Sequence, residues 1–251
     1  PLWDSKAQNA LNTFLTILLD SRASFALVIR FRGFQVMKVA CIDFEGVLVP
    51  EIWISLADRT GIQALELTTR DIPDYDELMT HRLNIMSEHR LGYNEIEAAA
   101  AALDPLPGAV DFLNWLRIHF QVAIISDTFH ELAKPLMAKL GHPVILCHRL
   151  EISSGGKIVG YVMRQDDPKR RAVAAFQSLN YKVVATGDSY NDTNMLAAAD
   201  CGILFRAPDN VIADFERWIR EGAADPRDGK VVNRDLAEYH VPVNRDVPDL
   251  E

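Results

Sequence analysis

Cys41-Ile-Asp-Phe-Glu-Gly-Val-Leu-Val-Pro50 joins an apolar run to two acids separated by one phenylalanine. The run itself, Val39-Ala-Cys-Ile42, reads as a buried strand that stops at Asp43 and Glu45. Carboxylates at the end of a core strand cost free energy unless something cationic neutralises them. The identity of that cation, and the purpose of the pair, are what the rest of the chain must supply.

Outward from this stretch, strand and helix patterns alternate from Met37 onward. Such alternation implies an α/β fold, a parallel sheet with helices on both faces. Residues 51–106 interrupt it with helical material: "EIWISLADRTGI", "YDELMTHRLNIMSEH" and "NEIEAAAAAL". Apolar residues there recur at three- and four-residue spacing, as at Leu78, Leu83, Ile85 and Met86, with Arg82 as a basic intruder. "AVDFLNWLRIHF" returns to the core as a helix, and "QVAIISDT" at 121–128 is the second strong strand. "ILCHRLEISSGGKIVGYVM" reads as a hairpin around Ser-Ser-Gly-Gly. "DPKRRAVAAFQSL" is a helix entered through Pro168 at its first turn. "KVVATGDSYNDTNML" gives a third strand, a loop and a helix start, and "CGILF" a fourth strand. Asp43, "SDT" and "GDSYND" therefore all fall at carboxyl ends of strands, the edge where open α/β sheets bind ligands.

Composition narrows the class. The 251 residues are 49% hydrophobic and 24% charged, ordinary for a globular protein able to bury a large core. A formal net charge of −9 argues against a general nucleic-acid or anionic-membrane surface, while leaving room for a small anionic substrate at a local positive cluster. Cys41, Cys147 and Cys201 are odd in number and far apart, with no zinc spacing or disulfide framework. A reducing, cytoplasmic setting is the default for such usage. In residues 1–36 no apolar run reaches the roughly 18 residues of a spanning helix. That segment reads as an upstream extension or a start-site error, with an amphipathic docking helix as the rival reading. The tail 223–251 has weak periodicity.

A lone Asp43 would be a helix cap or turn former. With Glu45 beside it, and Asp188 and Asp192 in "GDSYND", the oxygen-rich set suits Mg²⁺. Lys169, just inside a helix start, reads either as a solvated surface cation or as the neutraliser of a phosphate near the carboxylates. Ser126 reads either as an N-cap or as a hydroxyl that holds a phosphoryl oxygen. The seven histidines show no paired metal spacing, so core or surface roles are expected for them.

In this order, "DFEGV", "SDT", "DPKR" and "GDSYND" resemble the motifs of the haloacid dehalogenase-like phosphatase superfamily, over about residues 38–205. "FEGVLVPEIW" at 44–53, "TRDIPDYD" at 69–76, "LCHRLEI" and "GDSYNDTNML" resemble its phosphoserine phosphatase branch, in particular members that also transfer the phosphoryl group to homoserine. The resemblance implies a Rossmann-like α/β core, formed by 37–50 and 107–222, with a small helical cap at 51–106 inserted after the first strand. It implies Asp43 as nucleophile, Glu45 as acid and base, and Lys169 and Ser126 on the phosphoryl oxygens. Mg²⁺ would be held by Asp43, the backbone carbonyl of Glu45 and Asp188, with Asn191 and Asp192 in support. Glu51 would face the substrate ammonium and Arg82 its carboxylate, with Asp127 and Thr128 also at the phosphate. The implied substrate is O-phosphoserine, with homoserine as an acceptor; a homodimer is compatible with the resemblance. One departure is Glu45, where most such phosphatases carry Asp. The extra methylene moves the acid away from the nucleophile, which would slow hydrolysis and favour transfer. Two other readings remain: a capped phosphatase for a different small phosphomonoester, and a receiver-like module that accepts phosphate without turning it over. Receivers are far shorter and place their metal-binding acids before the acceptor strand, which weighs against the latter.

Overall fold

The computed structural model describes residues 37–69, 71–72 and 74–221. The extension 1–36 and the tail 223–251 lie outside them. The chain runs as β1 (Lys38–Ile42), α1 (Ile52–Thr60), α2 (Tyr75–Glu88), α3 (Tyr93–Ala102), α4 (Ala109–His119), β2 (Gln121–Phe129) and α5 (His130–Lys139). It continues as β3 (Val144–Ile152), β4 (Ile158–Val162), α6 (Pro168–Ser178), β5 (Lys182–Gly187), α7 (Thr193–Ala198), β6 (Cys201–Leu204) and α8 (Asp209–Glu221). Among the described residues the strands form one sheet in the order β4-β3-β2-β1-β5-β6. Only β4 runs antiparallel to its neighbour, as the expected hairpin with β3.

The alternation in Val39-Ala-Cys-Ile42 explains why β1 is central. Ala40 and Ile42 pack on one face of the sheet, Val39 and Cys41 on the other, and all four are at most 1% exposed. A parallel strand covered by helices on both sides has this doubly apolar character. The first face carries Phe112, Leu113, Leu132 and Leu136 of α4 and α5, continuous with Trp53, Leu56, Met79 and Ile96 of the inserted helices. The second carries Val173, Met195, Leu196 and Phe215 of α6, α7 and α8.

Local signals set the element ends. Gly61 closes α1 in the left-handed conformation at φ 69°. Asp74 caps α2 by accepting the Glu77 backbone N–H at 2.8 Å. Pro168 opens α6, as its fixed φ favours at a first turn. Between β1 and α4 the regular elements among the described residues are helical: α1, a short 3₁₀ turn at Gln63–Leu65, α2 and α3. No helix among the described residues is long and apolar enough to cross a membrane.

The topology positions the site. β1 pairs in parallel with β2 on one side and β5 on the other, so the chain's connections diverge around it. The crevice at the carboxyl ends of β1, β2 and β5 is the switch point where such sheets bind ligands.

Candidate active site

Asp43 is the first residue beyond β1, and its backbone N–H donates to the Thr186 carbonyl of β5 at 2.9 Å. The residue is 4% exposed. Asp188 follows β5 by one residue, and Asp192 ends the 3₁₀ turn Tyr190–Asp192. Carboxylate oxygens of Asp43, Asp188 and Asp192 all lie within 4.8 Å of one another. Lys169, on the first turn of α6, reaches into this group and is buried. Its Nζ donates to Asp192 Oδ1 at 2.7 Å and to Asp43 Oδ1 at 2.9 Å, and stands 3.6 Å from Asp127 Oδ2.

Burial alone would drive the Lys169 ammonium toward neutrality, but Asp192, Asp43 and Asp127 hold its pKa well above the ordinary value. Burial, with the Asp192 carboxylate adding to it, pushes the Asp43 carboxyl well up; Lys169 offsets this in part. One ammonium thus faces several buried carboxylates, a deficit of positive charge that a hard divalent cation with oxygen ligands fits.

Asp192 is anchored through both oxygens. Its Oδ1 takes Lys169, and its Oδ2 accepts the backbone N–H groups of Asp188 and Ser189 at 3.0 and 3.1 Å. It therefore shapes the loop that presents Asp188 and fixes the lysine. Two glycines make room for this crowding. A Cβ at Gly46, which has φ +79°, would overlap the Asp188 carboxylate, and one at Gly187 would overlap the Asp192 side chain.

Glu45 Oε2 accepts the Ile52 backbone N–H at 3.2 Å, so the acid sits at the amino end of α1, between core and inserted helices. Ser126 is buried, and its Oγ accepts the Thr128 backbone N–H at 3.1 Å, leaving the hydroxyl proton to be donated elsewhere. Asp127 Oδ2 accepts from Asn191 Nδ2 at 2.8 Å. Burial raises the Asp127 carboxyl, but Lys169, His148 and Asn191 together bring it well below the ordinary range.

Arg82 of α2 is 6% exposed. Its Nη2 donates to the Leu67 carbonyl at 2.9 Å and its guanidinium lies 4.7 Å from the Trp53 ring centroid. Its Nε has no partner within the protein. Burial lowers the Arg82 pKa, while Glu45, Tyr75 and Glu51 oppose that shift. Arg82 and Glu51 line the same cleft as Asp43, Glu45, Ser126 and Lys169. Asp127, Thr128, Asp188 and Asn191 line it too. The residues singled out in the sequence are thereby brought together, except that Asp192 lies behind the cleft wall.

Three contributors escaped the sequence reading. Trp53 lines the cleft and stacks on Arg82. Tyr75 lines it and donates its hydroxyl to the Asp127 carbonyl at 2.7 Å, joining an inserted helix to the core. His148 of β3 has Nε2 3.5 Å from Asp127 Oδ1, longer than a strong hydrogen bond. It lies within "LCHRLEI", one of the stretches that carry the resemblance, but no sequence signal gave it a role distinct from those of the other histidines.

The sheet, the inserted helices and the acid–lysine cluster at the ends of β1 and β5 define a class, and comparison agrees. The chain belongs to the haloacid dehalogenase-like hydrolase family, whose model matches residues 50–197. It is 59% identical over 182 residues to phosphoserine phosphatase ThrH of Pseudomonas aeruginosa, covering 72% of this chain and 89% of that protein. It is 54% identical over 201 residues to a phosphoserine phosphatase of Pseudomonas syringae pv. tomato, covering 80% and 85%. The fold is similar to a crystal structure of phosphoserine phosphatase in apo form, at TM-score 0.60 and 21% identity, over 71% of this chain and 90% of that one.

Proposed function

We propose that this chain is a Mg²⁺-dependent phosphoserine phosphatase that works through an aspartyl phosphate and also passes the phosphoryl group to homoserine. The observation that carries the reading is one cleft with Asp43 against Lys169 at one end and Arg82, its Nε unpartnered, with Glu51 elsewhere on its wall. A phosphorylated amino acid carries three charged groups, and this cleft offers a complement to each. The names of the two Pseudomonas relatives support the same substrate.

In this reading Asp43 attacks phosphorus in line with the serine oxygen, forming the new O–P bond as the old one breaks. The Glu45 carboxyl delivers a proton to the departing oxygen. It then takes a proton from a water or from the homoserine hydroxyl, whose oxygen displaces Asp43 from phosphorus. Lys169 and Ser126 steady the equatorial phosphoryl oxygens, with Thr128 beside them. Asp43, Asp188 and the Glu45 backbone carbonyl would hold Mg²⁺. When bound, the ion supplies positive charge that relieves repulsion between nucleophile and phosphate. A cytoplasmic setting suits the three cysteines, all of which are free.

The test is phosphate release from O-phosphoserine with Mg²⁺, with and without homoserine, analysing both products. Many turnovers and a phosphorylated homoserine product are expected. Turnover of an aryl phosphate but not of phosphoserine would point to another phosphomonoester, and a single turnover to a receiver-like role.

Arg82→Glu should raise KM for phosphoserine by roughly 10–100-fold, the range of a lost charge-assisted hydrogen bond, while sparing a generic aryl phosphate. Equal losses on both substrates, measured by steady-state kinetics, would remove Arg82 from substrate recognition. Glu45→Asp should shift products a few-fold toward hydrolysis, since the shorter acid is nearer the length that most such phosphatases use for proton transfer. An unaltered ratio of phosphohomoserine to phosphate would reject that role for the extra methylene.

A further inference from the structure

A buried histidine stands behind the cleft wall, where the proposed chemistry makes no use of it. His148 on β3 is 1% exposed. Its Nδ1 accepts the Arg164 backbone N–H at 3.2 Å, so in the neutral ring the proton resides on Nε2. That Nε2 has no hydrogen-bond partner, and the nearest acidic oxygen is Asp127 Oδ1 at 3.5 Å. Tyr75 and Phe129 flank the imidazole, with ring centroids 5.8 and 6.3 Å away, and restrict its rotation. A buried N–H with one acceptor in front of it carries a desolvation cost that closure of that short gap would remove.

Asp127 is the residue through which this donor can matter. Its other oxygen takes the Asn191 amide and faces the Lys169 ammonium. Asn191 belongs to the same 3₁₀ turn as Asp192, so one carboxylate ties β2 to the lysine and to the acidic loop together. Arg164, whose N–H orients the imidazole, also donates its Nη2 to the Pro168 carbonyl at 2.7 Å, next to Lys169. β2, β3, the start of α6 and the acidic loop thus meet through this histidine and aspartate.

We propose that His148 is a positioning residue: its Nε2–H tethers the Asp127 carboxylate so that Asp127 keeps Lys169 and Asn191 in place during phosphoryl transfer. The need arises from charge. Lys169 is shared among Asp43, Asp192 and Asp127, and Asp43 loses its grip on the ammonium when its carboxylate becomes an acyl phosphate. Asp127 then supplies the lateral hold that stops the ammonium from withdrawing onto Asp192. An untethered Asp127, with its side chain 18% exposed to the cleft, would be able to turn toward the phosphoryl group and repel it. The inference rests on the phosphatase reading above.

The test compares full-length His148→Met and His148→Gln by kcat and KM for phosphoserine at saturating Mg²⁺, with melting temperatures. Gln carries an amide N–H near the position of Nε2, whereas Met carries none. The Met variant should lose about 10–100-fold in kcat, the range for a displaced catalytic group and for lost outer-sphere support. Its KM should move much less, and Gln should recover most of the loss. Added to Asp127→Asn, the Met change should cost little further, because both act through one carboxylate. Native kcat in the Met variant, equal impairment of folded Met and Gln variants, or a full multiplicative loss on the Asp127→Asn background would each overturn the inference. Should Met not fold, His148→Asn replaces it, since its shorter amide mimics only Nδ1; equal activity of Asn and Gln would then overturn it. Failure of the unsubstituted chain to release phosphate from phosphoserine would instead overturn the phosphatase reading, and this inference with it.

Discussion

Asp43→Asn should abolish phosphate release from O-phosphoserine, by on the order of 10⁴-fold or more in kcat, the scale seen when a covalent nucleophile is removed. The amide nitrogen is no nucleophile toward phosphorus, and Asp188 and Asp192, though adjacent, have different duties. Both Asp192 oxygens are engaged by Lys169 and the loop backbone. The same substitution should leave folding stability undiminished. Asn relieves the repulsion that burial and Asp192 impose on Asp43, and Lys169 keeps Asp192 and Asp127 as partners. Steady-state kinetics paired with thermal melting checks this; a dead enzyme that also melts earlier would mean that Asp43 is primarily structural. Trapping of phosphate on the native chain, lost in the Asn variant, adds a direct chemical readout.

Lys169→Met is expected to hurt on both counts. It removes a donor that the proposed reaction places on the equatorial phosphoryl oxygens, a change worth about 10²–10³ in kcat. It also leaves Asp43, Asp127 and Asp192 clustered without their shared cation, and breaking a buried pair from one side costs about 3–5 kcal/mol. For a domain of this size that corresponds to a fall in Tm of roughly 10 °C. Added Mg²⁺ should restore part of the lost stability, because it supplies positive charge at Asp43, one of those carboxylates, with Asp192 close by. A Met variant with native Tm in the absence of Mg²⁺ would contradict the charge balance described for this site. The contrast between the two substitutions is informative: the Asp43 carboxylate is expected to matter for turnover alone, the Lys169 ammonium for turnover and folding together.

Much of this architecture was legible because β1, β2 and β5 are apolar on both faces and end abruptly in polar clusters. Val39-Ala-Cys-Ile42 reads as a buried strand, and that places Asp43 at the carboxyl edge of the sheet, where such folds bind ligands. The order of Asp43, Ser126, Lys169 and the "GDSYND" acids then specified a site before any distance was known. The hairpin β3–β4 was readable from its Ser-Ser-Gly-Gly turn for the same local reason. His148, Tyr75 and Trp53 were not, because their roles depend on packing between elements remote in sequence. Tyr75 on α2 meets the Asp127 carbonyl across the boundary between insert and core, a contact that no periodicity encodes. Trp53 looks, in sequence, like an ordinary core aromatic, and its stacking on Arg82, 29 positions away, is not encoded there. The anchoring of Asp192 was visible only as a second acid in a loop; that its two oxygens serve the lysine and the backbone is a matter of geometry.

The glycine at 187 has a consequence for how such a gene would decay. Its bareness serves the Asp192 side chain beside it, and with that acid gone the reason for it would vanish. The glycine at 46 differs, because its positive φ would strain a side chain there even without Asp188. A descendant copy released from selection for turnover would be expected to acquire a methyl-bearing residue at 187 early, while 46 stayed bare. In an unfamiliar duplicate, that one missing side chain would therefore be a sensitive gauge of whether the engine still runs.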